Sequence, residues 1–245
     1  MQEVNQEKIK LRGAIRNIYK KTGKAINDYQ MIKEGDKVLV GVSGGKDSLS
    51  LLKVLILRKR HVPIDFKLKA CFIESRFMPV EKNLLEEYFR EQEVEYVVKQ
   101  LDIETPGEKR CFWCSWNKRK ILFQTAKELN CNKIALAHHL DDIVETILMN
   151  LFFHGEVSSM KPVIELFGGE LSIIRPFCYL EKREIEKFYS QFAFPPLIHN
   201  CPYAQDSRRL LIKNTISLLK KEFPHIKVNI FRALRKEKIK KDYLL

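Results

Sequence analysis

The stretch Lys37-Val-Leu-Val-Gly-Val-Ser-Gly-Gly-Lys-Asp-Ser48 decides the fold of this chain. Its first half is a short apolar run rich in β-branched residues, which is typical of a buried strand in a parallel sheet. Gly44 and Gly45 interrupt that strand, because adjacent glycines permit positive φ angles and let a ligand approach the backbone. A helical apolar pattern follows, with Asp47 and Ser48 as candidate caps at its start. The stretch therefore predicts a strand, a glycine turn and a helix.

The start of this helix favours an anion, since its free N–H groups and the positive end of its dipole point at the turn. Lys46 adds a full positive charge there. The common ATPase loop has four residues between its glycines and Ser or Thr after the lysine. Here three residues separate Gly41 from Gly45, and Asp47 follows the lysine. We therefore predict a phosphate site of another kind, with an ordinary strand-to-helix turn as the alternative.

The composition is that of a globular protein with a basic surface. The chain has 245 residues, 45% of them hydrophobic, and a formal net charge of +13. Such a charge attracts polyanions, although it does not separate RNA from DNA or from an acidic membrane. No apolar run approaches the ~20 residues that span a bilayer, and the first residues are charged. We expect a cytoplasmic protein with no membrane partner.

Strand and helix patterns alternate along the chain. The predicted strands are 37–42, 67–74, 93–101 and 133–138, with a further short strand ending at Ile174. The predicted helices are 7–28, one from 47 onward, 80–92, 115–130, 141–153, 181–192, 206–221 and 226–240. The alternation predicts an α/β fold with a doubly wound parallel sheet and added N- and C-terminal helices. Ligands of such sheets lie beyond the carboxyl ends of the strands. The turns after Val42, Glu74 and His138 should therefore line one cleft.

A second group of polar residues, Ala137-His-His-Leu-Asp-Asp142, follows a predicted strand. Two carboxylates at a helix N-terminus are stabilised by the dipole and can orient a metal ion. Plain helix capping by Asp141 or Asp142 is the alternative. His138 and His139 are poor candidates for zinc, because adjacent histidines on an extended chain point apart and no third ligand lies at zinc spacing.

The six cysteines fall into two sets. Three lie in or beside apolar segments and are predicted to be small core residues, namely Cys71, Cys131 and Cys178. Cys111-Phe-Trp-Cys114 places two thiols one helical turn apart, a spacing that suits a metal or a cluster. Cys201, in a proline-rich stretch, is the third candidate ligand, with Cys178 as its first substitute. Three thiolates would leave one iron of a cluster open; a redox pair and chance are the alternatives.

Aromatic and basic residues surround the cysteine pair. The aromatic ones are Phe112, Trp113 and Trp116, which we expect to be core residues rather than a base-stacking surface or a shield for a cluster. The basic run Lys118-Arg-Lys120 follows directly. It suits either an approach by RNA or a solvated helix face.

Seven motifs occur together between residues 35 and 201: Gly35-Asp-Lys-Val38, Ser43–Ser48, Cys111-x-x-Cys114, His138-His-x-Asp-Asp142 with Glu145-Thr146, Ser159-Met-x-Pro162, Arg175-Pro176 and Cys201. In combination they resemble the tRNA 2-thiocytidine synthetase family of the PP-loop ATP pyrophosphatase superfamily. This chain departs from the family pattern at Ala137, where glycine is usual, and at Ala204, where a second cysteine often stands.

The resemblance implies ATP, Mg²⁺ and a 4Fe-4S cluster as cofactors and tRNA as substrate. The ATP-binding residues that it implies are Val42, Ser43, Gly44, Gly45, Lys46, Asp47, Ser48, Phe72, His138 and Asp141. It implies catalytic roles for Lys46, Asp47 and Asp141. The implied cluster ligands are Cys111, Cys114 and Cys201. The implied reaction converts cytidine 32 of the anticodon loop to 2-thiocytidine by adenylation and sulfur transfer from the cluster. A cysteine desulfurase or free sulfide would donate the sulfur, and a homodimer is expected as one possible assembly.

Two other classes of function remain open on the sequence. One is another PP-loop enzyme, such as a tRNA 2-thiouridine synthetase, a lysidine-type ligase or an amidotransferase synthetase. The other is an RNA-binding redox protein without ATP turnover. In each case we divide the chain into a basic helical segment 1–34, an ATP-binding and cluster domain 35–205, and a basic helical segment 206–245.

Overall fold

The computed structural model of this chain describes residues 12–75, 81–101, 110–195 and 207–235. The strands in these ranges are β1 Lys37–Val42, β2 Lys67–Ser75, β3 Glu95–Leu101, β4 Lys133–Ala135, β5 Val163–Leu166 and β6 Leu171–Ile174. The helices are α1 Gly13–Asp28, α2 Lys46–His61, α3 Lys82–Glu91, α4 Arg110–Glu128, α5 Leu140–His154, α6 Lys182–Tyr189, α7 Ser207–Glu222 and α8 Ile226–Arg235.

The six strands form one sheet in the order β3-β2-β1-β4-β6-β5. β1 lies between two parallel neighbours, with Val40 opposite Ala70 of β2 on one side and Ala135 of β4 on the other. The chain builds outward from β1 in one direction and then returns to its other side at β4. The strand order therefore reverses between β1 and β4, which is where an open α/β sheet forms its ligand crevice.

One edge of the sheet differs from the predicted parallel pairing. β5 runs antiparallel to β6, with Val163 opposite Ile174 and Leu166 opposite Leu171. A short 3-10 turn, Phe167–Gly169, joins the two strands. The sequence analysis missed β5 because a strand of four residues is too short for a clear alternating pattern. The expectation of purely parallel pairing is wrong at this edge.

Helices cover both faces of the sheet. The side chains of Val38 and Val40 belong to the larger core, on the face covered by α2, whereas Leu39 and Ile134 belong to a second core with α4. Alternate residues of a strand point to opposite faces, so the buried run of β1 supplies both cores. The predicted α/β doubly wound architecture is confirmed. The three cysteines predicted as core residues are buried, namely Cys71, Cys131 and Cys178.

Several helix ends differ from the prediction. α4 begins at Arg110 rather than at Ser115, which brings Cys111 and Cys114 into its first turn. α2 begins at Lys46 with Gly45 as its N-cap and without a side-chain cap bond, so the assignment of Asp47 and Ser48 as caps is wrong. The predicted helical residues before 12 and after 235 lie outside the described residues.

The terminal helices pack on the rest of the chain. α1 contacts α2 and α6, and α8 contacts α5 and α7. The tyrosine hydroxyl of Tyr179 donates a hydrogen bond of 2.8 Å to Asp28 at the end of α1. The division of the chain at residues 34 and 205 stays a prediction.

Candidate functional site

The turn after β1 is braced by two serines. The backbone N–H of Ser43 donates to the hydroxyl oxygen of Ser48 at 3.2 Å, and that hydroxyl donates to the carbonyl of Gly45 at 2.9 Å. Gly44 has a φ of 81°, a conformation that favours glycine because it has no Cβ. The predicted positive φ is thus confirmed at one of the two glycines. The braced turn directs the N-terminus of α2 toward the sheet edge.

A cavity of about 370 Å³ opens beside this turn, at the carboxyl ends of β1, β2 and β4. Its apolar walls come from both sheet and helix, namely Val42, Cys71, Ile73, Leu122, Leu136 and Ala137. Its polar lining comes from the turn, from α4 and from the start of α5, namely Ser43, Asp47, Ser48, Ser115, Lys118, Arg119, His138 and Asp142. The predicted cleft therefore has one apolar region that suits a base and one polar region that suits phosphates.

Asp47 has an unusual environment for a carboxylate. Its Oδ1 is buried and has no hydrogen-bond partner among the described residues, and its Oδ2 lies 3.9 Å from Nε2 of His139. Burial raises the pKa of Asp47, while the charges of His139 and Lys182 partly oppose that shift. A buried carboxylate oxygen without a donor is costly in free energy and is well placed to bind a cation.

His139 caps α5 and explains how the two carboxylates after it are held. Its backbone N–H donates to Oδ2 of Asp142 at 3.0 Å, while the N–H of Asp142 donates to Nδ1 of His139 at 3.4 Å. This reciprocal pair is a capping box in which histidine replaces the usual serine or threonine. Helix capping therefore occurs here, through Asp142 and His139 together.

His138 is oriented by an arginine that directly follows β6, the strand next to β4. Nε of Arg175 donates to Nδ1 of His138 at 3.2 Å, and the same guanidinium contacts the carbonyl of Lys161 at 2.5 Å. Because Nδ1 accepts this bond, the neutral ring carries its proton on Nε2. Burial, assisted by the charge of Arg175, lowers the pKa of His138 to about 4. The side chain lining the cavity is therefore a neutral N–H donor at pH 7.

Asp141 faces away from this cavity. Its Oδ2 accepts the backbone N–H of Lys182 at 2.9 Å, and its Oδ1 accepts Nζ of Lys227 from α8. Lys227 also contacts Glu181 at 3.2 Å. Burial alone would raise the pKa of Asp141, but the bonds from Lys227 and Lys182 lower it overall. Both oxygens are engaged in structural contacts, so the predicted role of Asp141 in magnesium binding and catalysis stays a prediction without geometric support.

Four further predicted site residues lie outside the lining of the cavity, namely Gly44 and Gly45 of the turn, Lys46 and Phe72. The exposed side chain of Lys46 places Nζ 5.7 Å from the ring centroid of Tyr189 in α6. Phe72 is buried in the core on the α2 side of the sheet. Its neighbours Cys71 and Ile73 line the cavity instead, as the two-residue alternation of a strand requires.

The cysteine pair lies at the same edge of the sheet as the cavity. Cys111 and Cys114 are in the first turn of α4, and Ser115, Lys118 and Leu122 of the same helix line the cavity. Cys114 is half-buried against the core on the α4 side. Cys201 lies outside the described residues. Among residues that are described, no group of three histidine, cysteine or acidic side chains is arranged to hold a metal ion.

The prediction that the tryptophans belong to the core is wrong. Trp113 is 44% exposed and Trp116 is 46% exposed.

The sequence analysis missed some residues of the site. Arg175 was noted as part of a motif but not as the partner of His138, since the two are 37 positions apart. Cys71, Ile73 and Leu122 were not assigned to the cavity. The alternation of β2 contained the signal for the first two, because a core side chain at position 72 places its neighbours on the opposite face.

Within the described ranges, none of the helices combines the length and apolar character that crossing a bilayer requires.

Comparisons with known proteins agree with this geometry. A family described as the PP-loop domain matches residues 14–207. A tRNA-cytidine(32) 2-sulfurtransferase of Geobacter sulfurreducens is 38% identical over 221 residues, which cover 86% of this chain and 86% of that protein. One from Syntrophotalea carbinolica is 36% identical over 228 residues, covering 89% and 88% of the two chains.

A solved structure has the same fold. The U34-tRNA thiolase NcsA from Methanococcus maripaludis, determined with its [4Fe-4S] cluster, superposes with a TM-score of 0.72. It is 24% identical in sequence, and the match covers 90% of this chain and 77% of that one.

Proposed function

This chain belongs to the tRNA 2-thiocytidine synthetase family of PP-loop proteins, and from that membership we propose that it is an ATP-dependent tRNA sulfurtransferase. Its substrate is cytidine 32 of the anticodon loop, and its product is 2-thiocytidine. The observation that carries the proposal is the cavity at the reversal of strand order, where the braced glycine turn meets the start of α2.

ATP binding follows from the two regions of the cavity. The apolar walls formed by β2, α4 and the end of β4 accept the adenine ring. The turn from Ser43 to Gly45 and the first N–H groups of α2 bind the phosphates. Lys46 stands at the mouth of this turn and reaches a phosphate by rotation of its exposed side chain. This arrangement holds the triphosphate at the helix N-terminus, where negative charge is stabilised.

The carboxylates beside the phosphates fit a magnesium ion. Asp47 supplies a buried oxygen without a donor, and Asp142 lines the same cavity. Mg²⁺ is commonly bound by one or two carboxylates together with substrate phosphates. We assign these two residues to the ion, since the oxygens of Asp141 are already engaged.

The reaction has two chemical steps. The O2 atom of cytidine attacks the α-phosphorus of ATP, and pyrophosphate leaves. The sulfur nucleophile then attacks C2, and AMP departs with the original oxygen, which would otherwise be a poor leaving group. Lys46 and the start of α2 stabilise the charge that develops on the phosphates. The neutral ring of His138 donates its Nε2–H to an oxygen in the cavity, which orients the reacting groups without a proton transfer.

The residues near α4 are compatible with an iron–sulfur cluster. Cys111 and Cys114 lie three positions apart in the first turn, so they are neighbours on the helix surface, and thiolates are stabilised at a helix N-terminus. We assign Cys201 as the third ligand. Three thiolates leave one iron of a 4Fe-4S cluster open, and the bound cluster would supply sulfur at that position. The donor of that sulfur is free sulfide, or a cysteine desulfurase whose persulfide sulfur a thiol reduces to the level of sulfide.

The net charge of +13 supports a polyanionic substrate. Part of that charge lies beside the cavity, at Lys118 and Arg119. The need for reduced thiols fits a cytoplasmic location, and assembly as a homodimer is retained as part of the proposal.

The test uses protein purified without oxygen and supplied with ATP, Mg²⁺, sulfide and a tRNA anticodon stem-loop containing cytidine 32. We expect release of pyrophosphate and AMP, and 2-thiocytidine in the digested RNA by mass spectrometry. Lys46→Ala should abolish both, whereas Lys59→Ala, an exposed lysine at the other end of α2, should retain them. Incorporation of an amine in place of sulfur would indicate a ligase, and normal turnover by Lys46→Ala would remove the turn from the mechanism.

A further inference from the structure

The two tryptophans of α4 form an exposed aromatic pair. Their ring centroids are 6.0 Å apart and the rings are nearly perpendicular, at 78°. Each leaves close to half of its side chain in contact with water. Tryptophan is the largest apolar side chain, so an exposed pair in mutual contact is an unfavourable surface unless another molecule covers it.

The pair lies on the side of α4 that faces away from the cavity. Trp113, Trp116 and Lys120 follow the i, i+3, i+7 spacing of one helix face, whereas Ser115 and Leu122 belong to the face that lines the cavity. α4 starts at the carboxyl edge of the sheet, since it follows β3 and leads into the parallel strand β4. The tryptophans therefore occupy the outer side of the helix, close to its cavity end.

The charges around the pair match RNA. Between residues 110 and 127 the sequence contains basic residues and no acidic one. Nζ of Lys120 lies 5.8 Å from the ring centroid of Trp116, while Lys118 and Arg119 of the same helix line the cavity. Aromatic rings flanked by cations bind unpaired nucleotides, because the rings stack on bases while the cations contact phosphates.

We propose that Trp113 and Trp116 form a stacking platform for unpaired RNA bases that flank the nucleotide entering the cavity. The platform rests on the proposed function and adds a recognition surface to it. It holds the neighbours of the target rather than the target itself, since it lies on the outer face of α4. A paired stem presents no free base faces, so the platform selects loop nucleotides.

The chain contains only two tryptophans, so fluorescence excited at the red edge of the tryptophan band, where tyrosine does not absorb, reports on this surface. We expect a saturable quenching when the anticodon stem-loop is added at about 150 mM salt. A fully paired RNA hairpin stem of the same length should produce little quenching at concentrations that give equal occupancy. Equal quenching by both RNAs, or none by either, would overturn the proposal.

Substitutions at position 116 distinguish the effect of a stacking aromatic ring from the effect of side-chain size. Trp116→Leu should weaken stem-loop binding, measured by anisotropy of labelled RNA, by about fivefold or more, the scale of one stacked base. Trp116→Phe should retain most of the affinity because it keeps a flat ring. Phe167→Ala is the matched control, since Phe167 is 64% exposed in the β5–β6 turn and its ring contacts Phe123, about two helical turns beyond Trp116 in α4. Normal binding by Trp116→Leu contradicts the platform.

Formation of 2-thiocytidine and binding of RNA, measured separately, distinguish failure of the platform from failure of the proposed function. If the wild-type protein forms 2-thiocytidine and Trp116→Leu binds RNA normally, only the platform is wrong. If the wild-type protein forms none, the function itself is wrong. Iron content of each variant shows whether the nearby cysteine pair is intact. If Trp116→Leu binds RNA normally but loses sulfur delivery from a cysteine desulfurase, the pair is a protein-docking surface and the proposal fails.

Discussion

At the scale of single residues, Asp47 connects the fold to the chemistry. It follows the glycine turn in sequence, so its position is fixed by the same element that forms the phosphate site. Its buried Oδ1 lacks a donor in the ligand-free protein. The protein therefore keeps an unfavourable carboxylate at the place where we assign a metal ion, as functional sites often do.

Asp47→Asn should make the ligand-free protein more stable and less active. The folded-state pKa of Asp47 is raised, so ionisation at neutral pH disfavours the native state, and the neutral amide removes that penalty. The melting temperature at pH 7 should rise, and the difference should shrink as pH falls through the raised folded pKa and vanish below about 4, where the carboxyl is protonated in both states. Pyrophosphate release should fall by about 10- to 100-fold, the loss of one charge-assisted contact. A less stable Asn variant with full activity would contradict this interpretation.

His138 gives a second prediction, which concerns pH. Its folded pKa of about 4 lies below the ordinary value of a histidine, so its contribution to stability is present above pH 6.5 and is lost as pH falls toward 4. The free energy of unfolding should therefore decline over this range by roughly 3 kcal/mol more in the wild-type protein than in His138→Gln. Urea unfolding at half-unit pH intervals measures the difference. Parallel pH profiles of the two proteins would show that His138 titrates normally.

At the scale of elements, α7 and α8 hold the start of α5 in place. Lys227 of α8 bonds to Asp141 and contacts Glu181, and Lys220 of α7 also bonds to Glu181. These ion pairs are largely shielded from solvent, with Lys227 13% and Asp141 16% exposed. The C-terminal helices therefore support the start of α5, which presents Asp142 to the cavity.

Lys227→Met should destabilise the protein by about 2 kcal/mol, because it leaves a largely buried carboxylate without its charged partner. The lowered pKa of Asp141 means that this stabilisation exists above the unfolded pKa and is lost as pH falls, so the wild-type and variant curves should converge in acid. Lys221→Met, an exposed lysine on α7, is the control. If Asp141→Asn lowers the free energy of unfolding by the same amount and keeps pyrophosphate release within a few-fold of wild type, then Asp141 has a structural role.

The helices and strands also show how much of the fold the sequence alone predicts. Hydrophobic patterns predicted β1, β2, β3 and most of the helices, because period-two and helical spacings are local properties. The start of α4 was placed five residues late, since the first turn of that helix has no clear apolar stripe. β5 was missed because four residues do not establish a pattern. Local sequence therefore predicted element types better than their ends.

At the scale of the whole molecule, the rules of parallel sheets predicted the cleft before any contact was known. Turns at the carboxyl ends of neighbouring strands must meet, and those after β1 and β4 do. The same reasoning did not predict which carboxylate faces the cavity. Lys227 engages Asp141 from 86 positions away, and no local pattern contains that pairing. Long-range partners of charged residues decide such details, and they become visible only in the folded chain.

The last prediction concerns the six cysteines, which the fold divides by location. Cys131 and Cys178 are buried in separate cores, so alanine at either should retain iron and cost about 1 kcal/mol of stability. The burial of Cys178 on the α2 side of the sheet also removes it as the substitute third ligand. Alanine at any of the three proposed ligands should lose most of the iron and all thiolation, because two thiolates hold a cluster poorly.

ATP binding is the control for this comparison of iron content among the cysteine variants. The phosphates bind at the glycine turn and the start of α2, and the part of α4 that lines the cavity begins at Ser115, after the cysteine pair. Cys111→Ala, Cys114→Ala and Cys201→Ala should therefore bind ATP within a few-fold of wild type while lacking iron. Cys71 is excluded from the comparison because it lines the cavity. Iron and sulfide analysis after anaerobic purification, beside calorimetric titration with ATP, measures both properties. A Cys201→Ala protein with full iron content would place the third ligand elsewhere. Cys131 and Cys178 lie in the two cores, so that ligand would be sought among other residues.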